Sequence, residues 1–213
     1  DIVYAAIQES GISGGGIVKT TDGGTTWSVL TNGLPTPTNV GRTALTISDS
    51  FPNVLFASIA KPFSSPDWGA LEGVYKTSNG GNSWSFVTAD TVLLCPYGFL
   101  CLGWFSNVIM IHPQDTNTLY VGGVYIHKST DGGTTWTKKE YTPLDTLYGY
   151  MMHVDHHSLA FEPGNPQKIY SLNDGGVYVS PDAGANWYEK NTGLCTYQLY
   201  TVASAATDPN LVI

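Results

Sequence analysis

Positive charge is scarce in this sequence: of 213 residues nine are basic, and Arg42 is the only arginine. Against 17 acidic residues the formal charge is −8. No basic face is available to displace counterions from phosphates, so no nucleic acid partner is expected. Charged residues of both signs make up 12%, about half the usual ~25%. Stretches free of helix breakers are also few. With 24 glycines and 12 prolines, a helical bundle or coiled coil is argued against. Three cysteines allow one internal disulfide, and Cys95 and Cys101, flanking a Pro-Tyr-Gly turn, are its natural pair. The alternative is three reduced thiols with Cys195 buried as a small hydrophobe. Val92 to Ile111 is the one uncharged apolar run long enough for a membrane. Pro96, Gly98, Gly103, Ser106 and Asn107 interrupt it, so no membrane span is expected. There is neither an initiating Met nor a signal peptide, and the chain reads as processed or as an excerpt.

What is present is a hydrophobic fraction of 42%, enough for a sizeable core. Low charge with abundant Thr, Ser, Gly, Asn and Tyr fits an extracellular or cell-surface all-β protein. The chain also repeats itself. Thr20-Thr-Asp22-Gly-Gly-Thr-Thr-Trp27 recurs as Thr77-Ser-Asn79-Gly-Gly-Asn-Ser-Trp84, Ser129-Thr-Asp131-Gly-Gly-Thr-Thr-Trp136 and Ser180-Pro-Asp182-Ala-Gly-Ala-Asn-Trp187. The tryptophans fall 57, 52 and 51 residues apart. Each copy lies between two short β runs, which makes it a hairpin turn. The Asp or Asn accepts backbone N–H bonds within the turn, the glycines supply positive φ, and the Trp returns as a packing anchor.

Two further runs precede each hairpin: Thr43–Ser48 then Val54–Ile59, Asn107–His112 then Thr118–Gly122, and His157–Glu162 then Lys168–Leu172. Four strands per unit of about 50 residues is the arithmetic of a β-propeller blade. The expected fold is therefore all-β, with four-stranded antiparallel blades and about four blade-equivalents. Residues 1–213 form part of one propeller, with units near 1–38, 39–90, 104–142 and 154–195, and the next begins at 196–213. The first interval is longer because of a loop around Lys61 to Gly69, which belongs on one rim. The apolar stretch 91–103 is either a sticky patch for a ligand or a lid folded over a blade.

The four hairpins resemble the Asp-box, or BNR, repeat, with Asn79 and Asn186 as the departures from its pattern. That repeat occurs in propellers of sialidases, family 74 xyloglucanases, sortilin-type receptors and photosystem assembly factors. A narrower resemblance runs through His153-Val-Asp155-His156-His157, Asn173-Asp174-Gly-Gly-Val-Tyr178 and Gly103-Trp104-Phe105. It points to large secreted prokaryotic propeller proteins, and it implies fold more than activity.

Sialidases hold the substrate carboxylate with three arginines, since guanidinium forks suit carboxylates. With one arginine, this segment is not expected to assemble a sialidase site. Glycoside hydrolysis needs two carboxylates flanking the bond. Once the turn residues Asp22, Asp131 and Asp182 are set aside, Asp155 and Asp174 are the candidate acids, with Asp67 and Glu72 on the insertion loop. First strands line a propeller's channel, so Arg42, Ser106, His156 and Val202, or their neighbours Thr43, Asn107, His157 and Ala203, should converge at its mouth. Ligand contacts are expected from Arg42, Trp104, Asn107, His156, His157, Tyr148 and Tyr150, with Trp68 as a further exposed-aromatic candidate. His153, Asp155 and His157 could hold a divalent metal ion; no other cofactor is expected.

These features lead to a noncatalytic, secreted or cell-surface scaffold that binds a protein partner or polysaccharide, or assembles with copies of itself. The alternative is a glycan-active hydrolase of the Asp-box propeller type, endoglucanase- or xyloglucanase-like.

Overall fold

The structure, a computed structural model, describes residues 1–8, 15–98, 101–139, 152–194, 204–205 and 208–212. Its strands fall into sheets in chain order. The first holds β1 (Val3–Ile7), β2 (Gly16–Thr20) and β3 (Ser28–Leu30). Three four-stranded antiparallel sheets follow. They are β4 (Thr43–Ser48), β5 (Phe51–Ala60), β6 (Leu71–Thr77) and β7 (Ser85–Thr88); β8 (Val108–His112), β9 (Asp115–Gly122), β10 (Ile126–Ser129) and β11 (Thr137–Lys138); and β12 (His156–Glu162), β13 (Asn165–Asn173), β14 (Gly176–Ser180) and β15 (Tyr188–Glu189). A two-strand sheet, β16 (Ser204–Ala205) with β17 (Asp208–Val212), comes last. No helix among the described residues is long and apolar enough to cross a membrane.

Within each complete sheet spatial order equals chain order, a meander whose inner strands β4, β8 and β12 stand side by side. They are tied laterally where Ile111 donates its N–H to Thr46 Oγ1 at 3.0 Å and Ser48 Oγ donates to the Pro113 carbonyl at 3.0 Å. This is the blade arrangement of a β-propeller. The second strands begin earlier than the apolar runs indicate, because the ladder continues through two-residue turns. Ser48 pairs with Phe51, His112 with Asp115 and Glu162 with Asn165, each after a register shift.

The four repeated turns are built alike. Asp22 Oδ1 accepts from Thr26 N at 2.9 Å and its Oδ2 from the Thr26 hydroxyl at 2.7 Å, while Thr20 Oγ1 accepts from Gly24 N at 3.0 Å. Asn79 does the same work without charge. Its Oδ1 accepts from Ser83 N at 3.0 Å, and its amide donates to Ser83 Oγ at 2.9 Å. In the last copy the polarity moves to the partner, with Asn186 Nδ2 donating to Asp182 Oδ2 at 2.6 Å.

The core is a series of apolar layers between blades. Trp84 packs with Ile17, Leu55 and Ile59 against Tyr4 and Leu30, so the second unit's tryptophan closes on the first blade. Trp136 and Trp187 likewise join the layers formed with the blade before their own. Trp27 has no earlier blade among the described residues and is 45% exposed, a departure from its expected anchoring role. A second device links two of these pairs, the first with the second blade and the third with the fourth. Lys19 and Lys128 lie over the rings of Tyr4 and Tyr120. Each tyrosine hydroxyl and its lysine then donate to one carbonyl in the next blade's turn, Gly80 or Ala183.

The apolar stretch before β8 divides its roles. Asp90 accepts from Val92 N and starts a short 3-10 turn. Leu93 and Leu94, with no exposure, then wedge between the second and third blades beside Phe56, Leu71 and Ile109. Tyr97 and Phe105 remain exposed.

Candidate functional site

Antiparallel alternation puts the connections from second to third strand and from fourth to first strand on one rim, opposite the repeated turns. Three segments meet there: the loop from Lys61 to Ala70, the stretch 90–107, and residues 152–157 with the turn Asn173 to Gly176.

The first two segments are joined backbone to backbone. Gly69 N donates to the Lys61 carbonyl at 3.1 Å, and Gly103 N donates to the Gly69 carbonyl at 2.9 Å. Gly69 has φ +78°, and a Cβ there would stand 2.6 Å from the Cys101 carbonyl and 2.8 Å from the Trp104 ring. Only glycine fits so close an approach. Cys95 and Cys101 form a disulfide, the expected pair, and Leu102 N bonds back to the Leu94 carbonyl.

These constraints assemble a row of rings. Phe63 lies 5.3 Å from Trp68, Trp68 lies 5.6 Å from Trp104, and Trp104 lies 5.6 Å from Phe105. Phe105 in turn meets the His157 imidazole edge-on at 4.9 Å. Phe63 is 56% exposed, Trp68 42% and Phe105 37%. Trp68 and Trp104 line an open groove of about 410 Å³ with Asp67, Cys101 and Leu102.

At the end of this row lie polar groups. His157 Nε2 and Asp174 Oδ1 are 2.6 Å apart, with the carboxylate the more shielded of the two. Asp155 has φ 65°, a conformation that Asp tolerates better than most residues. Its carboxyl accepts from Ser106 Oγ at 3.4 Å, reaching back to the preceding blade. Burial pushes the Asp155 carboxyl above the usual carboxylate range. The Asp174 charge adds to that shift, while the Ser106 bond and the charges of His157 and His153 oppose it.

Of the residues expected at the channel mouth, Asn107 reaches the second blade, while the His156 ring bonds within its own. Asn107 Nδ2 donates to the carbonyls of Arg42 and Ser58 at 3.2 and 3.0 Å, and Arg42 Nη1 points to the Trp104 carbonyl at 3.5 Å. His156 is fully buried, with Nδ1 2.9 Å from Ser171 Oγ. Asn107 and His156 are thus braces between strands, and the surface of the site falls to His157, Trp104 and their neighbours. Tyr148, Tyr150, Val202 and Ala203 lie outside the described residues.

His153, Asp155 and His157 are not gathered into a three-ligand site, and no such group occurs among the described residues. Asp155, at φ 65°, breaks the extended backbone that would have put all three on one face. His157 turns to Asp174 and Asp155 to Ser106, and His153 Nδ1 lies 3.0 Å from the carbonyl of Val154. Sequence reasoning also passed over Phe63 and Phe105 as site residues. The signal was their position, one inside the long insertion and the other beside Trp104.

No protein-family model matches the sequence, and no curated protein matches it. Solved structures do. The GH74 xyloglucanase from Xanthomonas campestris superposes with a TM-score of 0.60 at 17% identity, over 88% of this chain and 28% of that one. An ancestral GH74 enzyme gives 0.53 at 18% identity, over 90% of this chain and 24% of that one. YCF48 from Cyanidioschyzon merolae is similar more loosely, at 0.45 and 18% identity over 80% of this chain and 48% of that one. The chain spans about a quarter of the length of the two GH74 structures. At these identities the likeness is one of fold, a β-propeller.

Proposed function

We propose that the chain belongs to a noncatalytic, exported or cell-surface propeller scaffold whose loop-bearing rim binds a polysaccharide. The row Phe63, Trp68, Trp104 and Phe105, exposed except for the half-buried Trp104, carries this reading. Flat apolar faces beside hydrogen-bonding groups are what a pyranose ring, apolar on its faces and polar at its edge, stacks upon. A rigid stack of blades holds such a row in place while the rim loops carry the contacts. Affinity electrophoresis through gels containing hydroxyethylcellulose, galactomannan or xyloglucan tests it. The chain is expected to be retarded by at least one of them, and Trp68→Ala to migrate as in a gel without polysaccharide. Absence of retardation in every gel removes the polysaccharide reading and leaves a protein partner or self-association, which sedimentation of the chain at rising concentration separates.

A second reading, a glycoside hydrolase of endoglucanase or xyloglucanase type, is favoured by the carboxyl pair. Burial, then the charge of Asp174, raises the Asp155 carboxyl above its ordinary range, the direction a general acid needs. Under it, release of reducing sugar is abolished in Asp155→Asn and in Asp174→Asn with the fold intact. Wild-type protein that releases none from the polysaccharide it binds speaks for the scaffold.

A further inference from the structure

The loop from Lys61 to Ala70 has two flanks, and the aromatic groove occupies one of them. On the other is a second groove, of about 330 Å³, lined by Thr38, Asn39, Lys61, Ser64, Ser65 and Glu72. Pro66 lines both, so the grooves meet at that residue. Their chemistry differs. One presents the tryptophans, and the other presents hydroxyls, an amide and the half-buried carboxyl of Glu72.

Charge narrows what this pair of grooves accepts. Lys61 is the one cation among their described lining residues, and Asp67 Oδ2 engages it at 2.5 Å. Ser65 Oγ donates to the other Asp67 oxygen at 2.6 Å, which fixes the pair within the loop. Arg42 turns inward to the Trp104 carbonyl. An incoming carboxylate or sulfate would therefore meet Glu72 and Asp67 with no free guanidinium to receive it.

We infer that the two grooves are successive subsites for one uncharged glycan chain that crosses the loop at Pro66, its rings on Trp68 and Trp104 and its hydroxyls bonded by Glu72 and Asn39. The inference rests on the polysaccharide reading above and adds a required chain length and a required absence of charge. Burial raises the Glu72 carboxyl above its ordinary range, with Lys61 opposing and Asp67 reinforcing. In either protonation state that carboxyl accepts a hydroxyl proton.

The test titrates the chain calorimetrically with disaccharides and hexasaccharides of the cello and manno series. It also compares gels of hydroxyethylcellulose and carboxymethylcellulose, which share a backbone and differ in charge. A hexasaccharide is expected to bind about tenfold tighter than its disaccharide. Glu72→Ala should remove most of that difference and leave disaccharide affinity unchanged, and Asn39→Ala, at an exposed turn, should act in the same direction. Trp68→Ala should weaken both lengths. Retardation is expected in hydroxyethylcellulose and not in carboxymethylcellulose. Wild-type hexasaccharide affinity in both Glu72→Ala and Asn39→Ala, or equal retardation in the two gels, overturns the two-groove proposal while the glycan reading stands. Absence of binding to every sugar and gel overturns both.

Discussion

Gly103 donates its backbone N–H to the Gly69 carbonyl at 2.9 Å, and by that bond the loop after β5 and the stretch before β8 form one wall. Trp68 and Trp104 are neighbours of these two glycines in the chain, so the distance between the two backbones sets the distance between the rings. The row of aromatics depends on a contact in which no side chain takes part.

Gly69→Ala is therefore expected to act on the groove beyond its cost in stability. The new Cβ meets the Cys101 carbonyl at 2.6 Å, and φ +78° is unfavourable for alanine. A cost of roughly 1–3 kcal/mol follows. Thermal unfolding measures that cost, and tryptophan fluorescence reports whether Trp68 and Trp104 separate. An unchanged emission spectrum together with unchanged stability contradicts the wall.

The repeated turns give a paired prediction. Asp131 accepts from the Thr135 hydroxyl, Thr135 N–H and the Ser129 hydroxyl, in decreasing effect, and these hold its pKa at about 2. Because the folded value is depressed from 3.8, the stabilisation is full above about pH 4 and is lost as the pH falls toward 2. Asp131→Ala should lower the melting temperature by several degrees at pH 7, about what the loss of a turn network costs. Asn79→Asp should be nearly neutral, since the Ser83 hydroxyl, which accepts from the Asn79 amide, can rotate to donate to the new carboxylate. Melting curves of both variants at pH 7 and pH 3 decide it.

Tyr120→Phe isolates one link between blades. It keeps the ring under Lys128 and removes the 2.8 Å bond to the Ala183 carbonyl. Phe56 fills the matching place in the second blade beneath Lys76, so the ring alone is tolerated. A loss of about 1 kcal/mol is expected in urea denaturation. A loss several times larger would mean that the hydroxyl holds more than this one bond.

His127 predicts acid sensitivity. It is 3% exposed, and its Nδ1 has no hydrogen-bond partner. Burial, then the charge of Lys138, presses its pKa to about 4, against the opposing effects of Asp90 and a backbone bond to Tyr125; His156 adds a smaller push downward. Between about pH 6.5 and pH 4 the unfolded chain binds a proton that the folded one does not. Stability attributable to His127 therefore falls as the pH is lowered through that window, by roughly 3 kcal/mol in all. His127→Gln should lose this part of the pH dependence. Parallel slopes for wild type and variant from pH 7 to pH 4 would show that another group carries it.

Much of the fold was legible because its signals are local. An Asp or Asn between a hydroxyl residue and one or two glycines needs only its own eight residues to build the turn, and four such turns at nearly even spacing leave room for two further strands between them. The same reasoning placed Cys95 with Cys101. It failed where direction mattered. His153, Asp155 and His157 read as a ligand set because alternate residues of an extended strand share a face, but the backbone turns at Asp155, where φ is 65°, and each found a different partner. Trp27 read as an anchor like the other three and stands exposed, because each of the others packs against the blade before its own and no motif within one unit encodes that contact.

The sequence by itself determined the blades: turn chemistry, strand alternation and the aromatic of each second strand are properties of short segments and need no distant partner. Tertiary structure decided the surface. Phe63, Trp68, Trp104, Phe105, His157 and Asp174 come from two rim loops and a third blade, and nothing in their spacing relates them. They meet because blades stack at a fixed angle and bring the same rim of each unit together, and because two glycines lacking side chains let the loops touch.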